Sequence, residues 1–90
     1  MACYIVTYDL NKETKRPNIL KDIKEGFGGW AKLSESSYAI STNLSPDGVY
    51  DILSKHLDGN DHIYIITLKK PWQGFGPKTV NDWLNDALTW

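Results

Sequence analysis

Cysteine is nearly absent from this sequence of 90 residues: Cys3 stands alone, and the histidines number two, His56 and His62. An intrachain disulfide is therefore impossible, and a Cys/His zinc site lacks the ligands it needs. A lone thiol fits a cytoplasmic protein. Long apolar runs are missing as well. The longest, around Cys3 to Tyr8 and Ile63 to Leu68, are far shorter than the roughly 20 residues of a membrane helix, so no transmembrane span and no membrane partner are expected. The first residues have no basic segment followed by an apolar run and a small-residue cleavage site. A strong charge of either sign is lacking too, the net charge being -1. A protein that coats nucleic acid through its overall field would be strongly basic, so any nucleic-acid contact must be local.

What is present suffices for one core. Apolar residues make up 41% and charged residues 23% of a 10.2 kDa chain, which places it among globular domains and outside the disordered class. Residues 1–90 are read as one domain, because compact domains commonly run to about 100–150 residues. Charge is unevenly spread: residues 1–32 carry six Lys/Arg and four Asp/Glu, 33–68 one and five, and 69–90 three and two. The basic groups most available to a phosphate are Lys12, Lys15 and Arg16, continued by Lys21, Lys24 and Lys32. Mixed charge of this kind also describes an ordinary solvated helix face.

Cys3 to Tyr8 is β-branched and aromatic and ends at Asp9, the pattern of a central strand. From Pro17 the apolar positions Ile19, Leu20, Ile23 and Phe27 form a helical stripe, begun by a first-turn proline and stopped by Gly26, Gly28 and Gly29. Trp30 to Leu33 and Tyr38 to Thr42 read as strands joined through Ser34-Glu35-Ser36-Ser37. Ser45-Pro46-Asp47 starts a second helix with a capping hydroxyl, a proline set for the first turn and an acid at the positive end of the dipole. Its buried positions are Val49, Ile52, Leu53 and Leu57. His62 to Leu68 is the fourth strand. Thr79 and Asp82 have capping-box spacing ahead of Val80, Trp83, Leu84, Ala87 and Leu88, a third helix.

The order is β-α-β-β-α-β with an added C-terminal helix, which predicts an α+β, ferredoxin-like fold with one antiparallel sheet and the helices from about residues 17 and 46 on one face. The usual spatial order 4-1-3-2 would gather Asp9, Glu35, Ser36, Ser37, Asp61 and His62 at one edge with Lys12, Lys15 and Arg16. The opposite edge receives Lys69, Lys70 and the loop from Pro71 to Pro77.

Tyr8-Asp9-Leu10-Asn11 ending the first strand, then a helix, then Ser36-Ser37-Tyr38 opening the third strand, resembles the small CRISPR-associated adaptation protein family, Cas-two. It is similar too to the virulence-associated protein D ribonucleases, and most of all to small SinR-like bacterial and phage proteins. The resemblance covers roughly residues 3–68. It implies a ferredoxin-like homodimer with Asp9 near the dimer axis. In relatives that cleave nucleic acid the matching aspartate holds a divalent metal, here Mg²⁺ or Mn²⁺, with Ser36 or Ser37 beside it. After the fourth strand the adaptation proteins usually add a further strand, where this chain has its third helix.

A hard cation commonly uses one or two protein carboxylates together with water and phosphate oxygens. Asp9 could thus serve as metal ligand and catalytic carboxylate, or simply as a turn residue after a strand. Ser36 and Ser37 could orient water or a phosphate, and are equally ordinary turn residues. Lys12, Lys15 and Arg16 are the candidate phosphate contacts. His62 has the chemistry of a general base, but nothing in sequence orients it. Cys3 reads as a small core residue. Trp72 and Phe75, in a loop without a phosphate-binding Lys-Ser pair, could stack on a base, meet a partner protein or seal the core. The expectation is a divalent-metal-dependent nuclease acting on RNA or DNA. Its alternative is a binding or scaffolding module of the same fold.

Overall fold

The computed structural model describes residues 1–88. Strand β1 covers Ala2–Asp9, helix α1 Arg16–Glu25, β2 Gly29–Ser34, β3 Ser37–Thr42, α2 Pro46–Leu53, β4 His62–Thr67 and α3 Lys78–Ala87. Short 3-10 turns precede α1, at Glu13–Lys15, and follow α2, at Ser54–His56. The four strands form one sheet in the order β2-β3-β1-β4, and every neighbouring pair is antiparallel. The fold is α+β.

The period-two pattern of the strands builds two cores. Tyr4, Val6 and Tyr8 of β1 and Tyr38 and Ile40 of β3 face one way and pack with Ile19 and Ile23 of α1 and Val49 and Leu53 of α2. Both buried tyrosines of β1 keep their hydroxyls satisfied, Tyr4 donating to the Leu44 carbonyl at 2.7 Å and Tyr8 to that of Glu35 at 3.2 Å. A partly buried His56–Asp22 pair at 2.6 Å ties the 3-10 turn after α2 to α1. Cys3, Ala31 and Ala39 face the other way, where Leu84 and Leu88 meet them. The small side chains at 31 and 39 let α3 approach the sheet. Cys3 is buried there, as its surroundings in sequence suggest.

The two helices expected on one face, α1 and α2, do share it, and α3 takes the other over β2, β3 and the start of β1. One local expectation changes: Thr79 does not cap α3. The helix starts earlier, with Pro77 at the N-cap and no side-chain cap bond, while Lys78 pairs with Asp82 at 2.7 Å. Ser45 does cap α2, its Oγ accepting from the Gly48 N–H at 3.2 Å. The apolar reach of α2 extends to Leu57 through the 3-10 turn rather than through a longer α-helix.

Because α3 covers only part of its face, the β1–β4 half stays open. Tyr64 and Ile66 of β4 are 63% and 55% exposed. No helix among the described residues is long and apolar enough to cross a membrane.

Candidate functional site

The C-terminal end of β1 meets the β2–β3 hairpin and the loop entering β4, and charged side chains crowd there. Arg16 binds Glu13 through Nε at 2.6 Å and through Nη2 at 3.1 Å. It also donates to the Glu35 carbonyl, to Tyr8 Oη at 3.3 Å and to Ser36 Oγ at 3.4 Å. Its guanidinium lies over the Tyr8 ring, 5.5 Å from the centroid. Bonding to Glu13 raises the Arg16 pKa, and the same bond lowers that of Glu13. Burial pushes the Tyr8 hydroxyl up against the opposing pull of Arg16.

Lys15 is engaged in a second network. Its Nζ lies 2.5 Å from Asp58 and 2.6 Å from Asp61. The Asp61 side chain is fully enclosed and accepts the Asn11 N–H at 2.6 Å and the Asp58 N–H at 2.9 Å. Lys15 first, then these two N–H groups, hold the Asp61 carboxyl down at about 2. Bonds to Asp58 and Asp61 raise the Lys15 pKa in return. Two of the three candidate phosphate contacts, Lys15 and Arg16, thus fasten the loop before α1 to its neighbours. Lys12 differs: its side chain is exposed and makes no bond or ion pair among the described residues.

Asp9 is the exception among the acids at this end. Glu13, Glu35, Asp58 and Asp61 each have a cationic partner. The Asp9 carboxylate is exposed and has none among the described residues. Register places His62 opposite Asp9 and Tyr64 opposite Thr7 on β4, and Ser37 opposite Thr7 on β3. The Leu68 N–H donates to the Cys3 carbonyl at 2.9 Å. Alternation from that pair makes Asp9 and His62 a directly hydrogen-bonded pair, with Cα atoms about 5.5 Å apart. Thr7, Tyr8, Asp9, His62 and Tyr64 line a cleft of about 300 Å³, and the Ser37 hydroxyl donates to Thr7 Oγ1 at 3.0 Å beside it.

The two candidate serines separate. Ser37 shares the open face with Thr7 and Asp9, whereas the Ser36 hydroxyl is drawn to Arg16. Among the described residues no three His, Cys, Asp or Glu side chains cluster as an ion site. Asp9 still meets the minimum for a hard cation, one free carboxylate on an open surface where water and phosphate oxygens can complete the shell. Trp72 and Phe75 part company in the same way. Trp72 packs against the α3-side core, while Phe75 is fully exposed on its loop.

His62, Thr7 and Tyr64 join Asp9 through register. Strand order alone brings His62 to this end; the residue-by-residue pairing that sets it against Asp9 depends on where the β1–β4 ladder starts, which no turn in the sequence fixes. Comparison with known proteins finds no family model that matches this chain and no curated protein that matches it.

Proposed function

We propose that this chain is a ferredoxin-like, Cas-two-like protein that acts as a homodimer and cleaves RNA or DNA phosphodiester bonds with Mg²⁺ or Mn²⁺. The observation that carries this reading is the unpaired Asp9 carboxylate, set beside His62 at an end of the sheet where the other acids are ion-paired. Asp9 would hold the cation, which when bound neutralises phosphate charge and lowers the pKa of its water. The His62 imidazole lies across the strand pair, where it can accept a proton from an attacking water. The Ser37 and Thr7 hydroxyls, already bonded to each other, are placed to orient a phosphate oxygen. Lys12 supplies the remaining unpaired positive charge from the adjoining loop.

A second reading is a non-catalytic nucleic-acid-binding or scaffolding module. It is favoured by the internal engagement of Lys15 and Arg16, which removes two cations from any phosphate-binding surface. A cleavage assay on RNA and DNA, with and without Mg²⁺ or Mn²⁺, separates the readings. The first expects cleavage that needs the ion and disappears in Asp9→Asn, whose thermal midpoint stays near that of the wild type because the side chain has no partner to lose. Absence of ion-dependent cleavage in the wild type rejects it. Binding of nucleic acid without cleavage would establish the second.

A further inference from the structure

The two edges of the sheet are built differently. At β2 the ladder to β3 shifts register between Lys32 and Ser34, a charged side chain sits mid-strand, and α3 packs close by. Bulges, lysines and covering helices are the usual devices that keep an edge from pairing with another chain. At β4, which α2 contacts from the helical side, the bulge and the charge are missing: the strand reads His-Ile-Tyr-Ile-Ile-Thr, with no Lys, Arg, Asp, Glu, Gly or Pro and with regular pairing to β1. Exposed apolar side chains border it on both faces. Tyr64 and Ile66 stand on the open face, and Tyr50 of α2, itself 48% exposed, lines a groove with Ile63 and Tyr64 on the way to the helical side.

The backbone phase of β4 follows from the Leu68–Cys3 bond. Residues 62, 64, 66 and 68 turn their peptide groups toward β1, so Ile63, Ile65 and Thr67 turn theirs outward. A second copy of the same strand can use all three outward positions in one antiparallel register, with Ile65 opposite Ile65 and Ile63 opposite Thr67 in both directions. That register keeps like faces together, as a two-fold axis through Ile65 and perpendicular to the sheet demands. It also sets Tyr64 of each copy against Ile66 of the other, an aromatic to β-branched cross-strand pair of the favourable kind. The sequences flanking the strand complement each other. Asp58, half exposed although it bonds Lys15, precedes β4 and Lys70 follows it, so antiparallel pairing brings the net-negative end of one copy toward a basic residue of the other.

We propose that β4 is the homodimer interface, pairing antiparallel with β4 of a second copy about a two-fold axis at Ile65 to form one continuous eight-stranded sheet. This deepens the homodimer part of the functional reading and does not depend on its chemistry. It sets the two Asp9 residues on opposite sides of the axis, about 25 Å apart by strand rise and spacing, whereas the family resemblance implies that they lie near the axis.

Sedimentation and disulfide trapping test the arrangement. The wild type should sediment at about twice 10.2 kDa at micromolar concentration. Thr67→Pro removes an outward N–H that β1 does not use, which an edge strand tolerates, and should sediment as monomer. Ile66→Asp, a change at an exposed position, should do the same. For trapping, Tyr64→Cys and Ile66→Cys are made separately in a Cys3→Ala background. Mixed and oxidised, they should give a cross-linked heterodimer, since residues 64 and 66 of opposite copies would stand about 4.5 Å apart at Cα. Each alone should stay uncrosslinked, because like positions lie about 8 Å apart, beyond disulfide reach. A monomeric wild type, a dimer that survives both Thr67→Pro and Ile66→Asp, or self-cross-linking of the Tyr64→Cys variant as efficient as that of the mixed pair would overturn the proposal. The last outcome would indicate pairing through the open face instead. The trapping arm stands even if either strand variant fails to fold.

Discussion

Asp61, Lys15 and Arg16 look in sequence like solvated loop charges, yet each fastens one segment to another. Asp61 falls from an ordinary 3.8 to about 2 in the folded chain. Between those two values the unfolded chain binds more protons at this site than the folded one does, so its contribution to stability is complete above about pH 4 and is lost as the pH falls toward 2. Asp58, Glu13 and Glu35 are depressed as well and add to the same acid limb. Asp61→Asn should lower the thermal midpoint at pH 7 and flatten, without abolishing, its decline between pH 4 and 2; scanning calorimetry across that range reads both effects. An unchanged acid limb would mean that Asp61 is not held by Lys15 in solution. Arg16→Ala should destabilise by on the order of 1–3 kcal/mol, the scale of charged hydrogen bonds lost together, as measured by urea unfolding. Residue type alone identifies the basic and acidic positions. Their partners stay hidden in the sequence because Lys15 reaches Asp58 and Asp61 across more than forty positions of chain, a contact that only the return of β4 beside β1 creates.

Element by element, periodicity is informative where one face is buried and silent about which neighbour buries it. Val49 and Leu53 repeat at helical spacing and Ser45 caps them, so α2 is legible from its first residue. The stripe Val80, Trp83, Leu84, Ala87 and Leu88 is equally plain, but it carries no sign of the sheet face it covers. That choice is written in Ala31, Ala39 and Cys3, the small residues that make room for α3. Their meaning emerges only when the register puts Ala31 opposite Ala39. The start of α3 is misleading in sequence because Thr79 and Asp82 satisfy a capping spacing, while Pro77, two residues earlier, also leads readily into a helix and takes the cap. If α3 is integral to the domain, Leu84→Ala should cost about 2–5 kcal/mol in chemical denaturation, the range for truncating a buried leucine. A loss below about 1 kcal/mol, typical of surface substitutions and small deletions, would instead mark α3 as a loosely held appendage.

For the molecule as a whole, one sheet carries two unequal faces and two unequal edges, and the candidate chemistry lies where the open face meets the open edge. Asp9 and His62 belong to the same chain and pair across β1 and β4. If the copies join at β4 about Ile65, no acidic ligand crosses the axis, and each chain must hold its cation with its own Asp9, completed by water and substrate phosphate oxygens. The resemblance-based expectation of two aspartates near the axis leads to the opposite behaviour, in which a separated chain loses its site. Thr67→Pro distinguishes the two arrangements. Thr67 lies outside the Asp9 cleft, and its replacement acts on the outward backbone of β4 rather than on the side chains at the other end of the strand. The monomer it produces should cleave at an unchanged rate per chain with the same ion requirement, while Asp9→Asn should remain dimeric and inactive. Single-turnover cleavage at matched chain concentrations, with sedimentation run on the same samples, measures both. Loss of cleavage in a folded Thr67→Pro monomer would show that the site is shared between copies, because the intrachain Asp9–His62 pair survives that substitution.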